Sequence, residues 1–299
     1  MLKKSPFEGG RGMIHYTRVN YLRSQSIRNM RNFAYLFSIL ALCLLLTAFV
    51  PFKKKVVKVY LIGDSTVADY TGNYDDKDYM TTRYPIAGWG QVFQPFMSSD
   101  SLFQIKHLIK ADSVLVLDKA RGGRSTRTFF EEGRWAEVYK ALQKGDVVMM
   151  QFGHNDAAEN KPERYTNVTA YKEYLRLFVN QTRQKGATPI ILTPVNRNYP
   201  WKDGKLGNVH GDYPQAARDV AKELDVQLID LTQHSINAFT AKGQDYVTEY
   251  YFMNLPAGKY VAYPEGQKDN THFQPEGAQA VAQLVFNGLK GLGTVTVKK

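Results

Sequence analysis

Between residues 56 and 290, short β-forming apolar runs alternate with stretches of helical periodicity, and this alternation limits the fold more than any other feature of the chain. Val59-Tyr60-Leu61-Ile62, Val114-Leu115-Val116-Leu117, Asp146 to Phe152, Pro189-Ile190-Ile191-Leu192 and Val226 to Ile229 read as buried strands. Between them lie one-sided apolar faces. Trp89, Val92, Phe93, Phe96 and Met97 predict an amphipathic helix, as do Trp135, Val138, Tyr139 and Leu142. Tyr171, Tyr174, Leu175, Phe178, Val179 and Thr182 trace a third, and Ala217, Val220, Ala221 and Leu224 a fourth. The last begins near Pro275 and carries Ala278, Val281, Ala282, Val285 and Leu289. Such alternation predicts one parallel sheet covered by helices on both faces, in a single domain from residue 53 to 299. Asp69 to Arg83 reads as a polar loop, and residues 232–268 as mixed structure.

Residues 1–52 have a different character. They hold seven Lys and Arg against one acid, Glu8, and the run Phe33 to Phe52 carries no charge. A basic flank before an apolar run predicts an export signal or an uncleaved anchor over residues 33–52, and a periplasmic or secreted body. Of the formal charge of +11, this segment carries +6, leaving +5 for the remainder. The basic pI is therefore weak grounds for a nucleic-acid partner. Cys43 is the single cysteine and lies in the apolar run, so the body has no disulfide, thiol nucleophile or cysteine-based zinc site.

The polar landmarks sit where strands end. Gly63-Asp64-Ser65 follows the first, Gly122-Gly123-Arg124-Ser125 the second, and Gly153-His154-Asn155-Asp156 the third. In a parallel sheet these ends share one edge, where ligands bind. Asp269-Asn270-Thr271-His272 precedes the final helix, and its spacing lets a carboxylate and an imidazole turn the same way. A serine hydroxyl needs a base to become a nucleophile, and a carboxylate fixes the tautomer of that base. The N–H groups of Ser65 and Gly123 and the amide of Asn155 are candidate donors to an oxyanion.

These blocks, in this order, resemble those of the GDSL, or SGNH, hydrolases. Gly122-Gly123-Arg124-Ser125, Gln151 to Asp156 and Asp269 to Phe273 look most like rhamnogalacturonan acetylesterases of pectin breakdown. The resemblance implies a flavodoxin-like three-layer α/β/α sandwich with a five-stranded parallel sheet and no metal or other cofactor. It implies Ser65 as nucleophile, His272 as base, Asp269 as its orienting acid, and Ser65, Gly123 and Asn155 as the oxyanion hole. The expected reaction is removal of O-acetyl groups from a plant cell-wall polysaccharide. The rivals are a lipid esterase or thioesterase, which would want an apolar acyl channel, and a non-catalytic carbohydrate-binding surface protein.

Other residues divide between substrate contact and structure. Arg124 could hold a uronate carboxylate or form a structural salt bridge, and Trp201 could stack on a sugar, with Tyr79, Tyr84 and Tyr263 as weaker candidates. Asp64 reads as a turn residue and Trp89 as core. His154 and Asp156 lack a third metal ligand. His107, His210 and His234 have no partner motif and read as surface or structural.

Overall fold

A computed structural model of the chain describes residues 23, 25, 26, 28–37, 55–72, 74 and 78–293. Contacts divide the chain into two units, Met1–Lys53 and Lys54–Lys299. In the first, residues 28–37 are helical. Among the described residues no helix is long and apolar enough to cross a membrane. Most of the expected export segment, residues 38–52, lies outside them.

Among the described residues the second unit has seven strands: β1 (Val56–Gly63), β2 (Ser113–Asp118), β3 (Val147–Gln151), β4 (Thr188–Leu192), β5 (Trp201–Lys202), β6 (Lys205–Leu206) and β7 (Gln227–Ile229). Five form a parallel sheet in the order β2-β1-β3-β4-β7, and β5 and β6 pair as an antiparallel hairpin. The main helices are α1 (Thr126–Glu131), α2 (Arg134–Ala141), α3 (Val168–Gln184), α4 (Tyr213–Glu223), α5 (Leu231–Lys242) and α6 (Pro275–Gly291).

Strand residues alternate between two cores. Val57, Val59, Leu61, Val147, Met149 and Ile190 pack with Phe93, Phe239, Val281 and Val285. Tyr60, Ile62, Val148, Met150 and Ile191 pack with Phe129, Trp135, Phe178 and Val220. The inner strands β1, β3 and β4 therefore bury both faces, as a parallel sheet between two helical layers requires, while edge strand β2 leaves Leu115 exposed. The chain order reverses between β1 and β3, the place where open α/β sheets bind ligands.

One sequence expectation needs correction. Residues 89–97 form two 3₁₀ turns, Gly90–Val92 and Gln94–Met97, in place of one amphipathic helix. The N–H of Trp89 is used by Thr66 O at 2.9 Å and that of Gly90 by Val67 O at 2.9 Å, while Pro95 has none to give. The buried face survives the change, since Trp89, Phe93 and Met97 are all in the core. The region 232–268 is mixed, and it opens with most of a regular helix, α5, whose apolar pattern is interrupted because Thr232 and Ser235 occupy buried positions on it. Asp230 caps it, its carboxylate accepting from Gln233 N at 3.4 Å.

Candidate active site

Ser65 stands directly beyond β1 in a turn fixed by its neighbour. Asp64 Oδ1 accepts from the Thr66 N–H at 2.9 Å and from the Thr66 hydroxyl at 2.8 Å, and Asp64 O accepts from Ala68 N at 3.1 Å. This is the turn role read for Asp64 from sequence. Gly63 is required because a Cβ there would lie 2.5 Å from Gln151 O. Burial pushes the Asp64 carboxyl up to about 6, against the two Thr66 hydrogen bonds that favour its ionised form.

Asp269 and His272 meet as the spacing suggested. His272 Nδ1 lies 2.6 Å from Asp269 Oδ2, while Asp269 Oδ1 accepts from Thr271 N at 2.7 Å and His272 N at 3.1 Å. Burial would raise the Asp269 carboxyl, but the His272 hydrogen bond and charge, with the two N–H donors, hold it below its ordinary value. The loop is pinned on both sides, with Met253 N donating to His272 O at 2.9 Å and Ala87 N to Phe273 O at 2.9 Å.

Ser65, Gly123, Asn155 and His272 open on one cavity of about 800 Å³. No described hydrogen bond takes the backbone N–H of Ser65 or of Gly123. Gly123 has φ +79°, which its lack of a side chain permits. Asn155 Nδ2 donates to Arg124 O at 2.9 Å, which fixes the amide and leaves its second N–H uncommitted. Three N–H groups on three loops are thus available at the cavity that Ser65 lines.

Arg124 and Trp201 do not line that cavity. The Arg124 Nε donates to both Glu132 carboxylate oxygens at 3.0 and 2.9 Å, so its side chain makes the salt bridge, and its carbonyl holds Asn155. Trp201 Nε1 donates to Asn198 Oδ1 at 2.9 Å, and its ring packs against the core. Tyr199, two residues earlier and 38% exposed, lines the cavity instead.

The residues flanking Asn155 are structural. Asp156 Oδ1 accepts from Thr126 N at 2.9 Å and the Thr126 hydroxyl at 2.6 Å, joining the β3 loop to the start of α1. His154 is buried, its Nδ1 3.2 Å from His210 Nε2. That pairing escaped the sequence reading because 56 residues separate the two rings. Burial drives both imidazoles towards the neutral form, His210 down to about 3. Among the described residues no group of three or more His, Cys, Asp or Glu could hold a metal ion.

Comparison with known proteins agrees with this architecture. The GDSL-like Lipase/Acylhydrolase family model matches residues 61–280. The chain is 36% identical over 240 residues to the rhamnogalacturonan acetylesterase RhgT of Bacillus subtilis strain 168, covering 80% of this chain and 92% of that one. It is 39% identical over 236 residues to the "probable rhamnogalacturonan acetylesterase YesY" of the same organism, covering 79% and 93%. Among solved structures, Bacillus subtilis YxiM superposes with a TM-score of 0.62 at 27% identity, over 79% of this chain and 57% of that one. A catalytic mutant of Axe2, an acetylxylan esterase from Geobacillus stearothermophilus, shares the fold with a TM-score of 0.51 at 16% identity, over 81% and 97%. The chain belongs to the GDSL-like lipase/acylhydrolase family and is a carboxylic ester hydrolase.

Proposed function

We propose that this protein removes O-acetyl groups from an acetylated plant cell-wall polysaccharide, with pectic rhamnogalacturonan as its substrate. One observation carries the reading: Ser65 opens on the same cavity as His272, whose other ring nitrogen lies 2.6 Å from Asp269. The two rhamnogalacturonan acetylesterase relatives support the choice of acetyl ester and polymer.

In the proposed reaction, Ser65 Oγ attacks the acetyl carbonyl carbon while His272 Nε2 takes the hydroxyl proton. Asp269 holds the ring through Nδ1 and stabilises the imidazolium. Negative charge collects on the former carbonyl oxygen, for which the N–H groups of Ser65, Gly123 and Asn155 are the donors. The bond from carbonyl carbon to sugar oxygen breaks, and His272 returns the proton to the leaving sugar hydroxyl. Water then attacks the acetyl-Ser65 ester, loses its proton to His272, and acetate leaves as Ser65 recovers its hydrogen. The reaction belongs outside the cell, in keeping with the basic and apolar character of residues 1–52.

A long-chain lipid ester suits this cavity poorly, because Asn155, Asn160, Lys161, Arg164 and Arg197 line it. The test is acetate release from acetylated rhamnogalacturonan by a chain beginning at Lys53, beside acetylated xylan and a long-chain p-nitrophenyl ester. Release from the pectic polymer that vanishes in Ser65→Ala is the expected result. Preference for the long-chain ester would move the protein to the lipid esterases, and preference for xylan would change the polymer.

A further inference from the structure

Arg197 is an unusual cation. It lies partly buried on the wall of the cavity, and each of its hydrogen bonds is to a neutral group, while its charge is felt by the buried Asp64 carboxyl. Its Nε donates to His154 Nδ1 at 3.3 Å, one Nη to His154 O at 3.2 Å, and the other Nη to the Tyr199 hydroxyl at 2.8 Å. The imidazoles cannot supply negative charge, and burial together with the charge of Arg197 keeps them neutral. Partial burial of a guanidinium without an anion in contact is costly. Three of its five N–H groups are used, so one remains on each terminal nitrogen, the fork that grips a carboxylate.

Other residues of the lining repeat this charge. Lys161 and Arg164, in the loop after β3, line the same cavity. Arg164 has a loose partner in Glu163, at 3.8 Å, while the Lys161 side chain has no described partner. Among the described residues that line the cavity there is no Asp or Glu. The Asp64 carboxylate lies buried beneath, and that of Asp269 is engaged by His272. A lining with cations and, among its described residues, no acid concentrates anions near its mouth.

We infer that the cleft recognises the ester by carboxylates on the sugars beside it, with Arg197 as the specificity-determining residue and Lys161 and Arg164 as its support. The ligand class is a uronate-bearing oligosaccharide. This rests on the proposed deacetylation of a pectic polymer and adds its basis of selection. Tyr199, oriented by Arg197, would give the sugar ring a flat neighbour.

The experiment compares acetate release from one acetylated pectic oligosaccharide with free carboxylates and with the same carboxylates methyl-esterified. The wild-type kcat/KM should favour the free acid by about tenfold or more, and the preference should shrink as salt rises. In Arg197→Gln the ratio of the two kcat/KM values should fall towards one, and in Lys161→Ala it should fall part of the way. A ratio within one variant divides out any general loss from disturbing His154. In the wild type, a non-acetylated oligouronide should also inhibit p-nitrophenyl acetate hydrolysis competitively, where a neutral oligoxyloside does not. A wild-type ratio near one, or a ratio unchanged in both variants, would overturn the inference while leaving pectic deacetylation standing. Serine-dependent release from acetylated xylan alone would remove the proposed substrate and the inference with it.

Discussion

Gln151, at the end of β3, accepts the indole N–H of Trp89 at 2.9 Å and donates to the Thr66 hydroxyl at 2.7 Å. That hydroxyl donates in turn to Asp64 Oδ1 at 2.8 Å. The result is a buried chain of hydrogen bonds, each with one direction, that ends on the residue before Ser65. It couples the third strand and the 3₁₀ turn to the turn that carries Ser65. Gln151→Leu would take the donor from the Thr66 hydroxyl, which keeps its bond to Asp64, and leave the buried Trp89 N–H without its acceptor, a cost of about 1–3 kcal/mol for that unpaired group. Urea unfolding should show that loss. Steady-state kinetics on p-nitrophenyl acetate should show a lower kcat with KM little changed, because the Ser65 N–H and Oγ lose their fixed placement. Retained kcat in a destabilised protein would make the chain structural only.

Asn155 is placed by its bond to Arg124 O, with one N–H left over at the cavity. If that N–H serves the oxyanion, Asn155→Ala should lower kcat about 100- to 1000-fold and leave KM nearly unchanged. A matched rise in KM at constant kcat would assign Asn155 to ground-state binding.

Asp269 offers a sharper separation of geometry from charge. In Asp269→Asn the side-chain oxygen can still accept from the Thr271 and His272 N–H groups, so the loop should keep its shape. The amide cannot stabilise an imidazolium at Nδ1, and kcat should fall on the order of 10⁴-fold. Circular dichroism and melting temperature near those of the wild type, with that loss of turnover, are the expected pair of results.

The sheet was legible because parallel strands buried on both faces leave unbroken apolar runs, such as Val59 to Ile62 and Val147 to Met150. The triad candidates were legible for another reason. Ser65 follows a strand directly, and Asp269 and His272 are three residues apart, so local chain geometry places them. The pattern failed where tertiary contacts override local periodicity. Trp89 to Met97 has helical spacing, yet its N–H groups are drawn to Thr66 and Val67, which no window of sequence contains. The cavity wall was hidden likewise. Arg197 and His210 reach His154 across 43 and 56 residues. Arg124 and Trp201 had the right chemistry and neighbourhood but spend it on Glu132 and Asn198.

Asp156 makes stability depend on pH in a direction opposite to that of a paired surface carboxylate. It is fully buried, and burial raises its carboxyl to about 7 in spite of the two bonds from Thr126. Its unfolded value is near the ordinary 3.8. Between those values the folded chain holds a proton that the unfolded chain has released, so this group lowers stability as pH rises from about 4 to about 7. Below the window both states are protonated, and above it both are ionised, so the contribution is flat at each end. Asp156→Asn keeps an oxygen for Thr126 and removes the ionisation. The variant should therefore gain on the wild type steadily as pH rises through the window, whatever constant offset the amide introduces. Melting temperatures of both proteins at pH 4, 5, 6, 7 and 8 measure the difference. A difference that grows to pH 7 and then levels supports a carboxyl held protonated by burial, whereas a difference constant with pH would mean that Asp156 is ionised in the folded protein throughout and that its charge is met inside the fold.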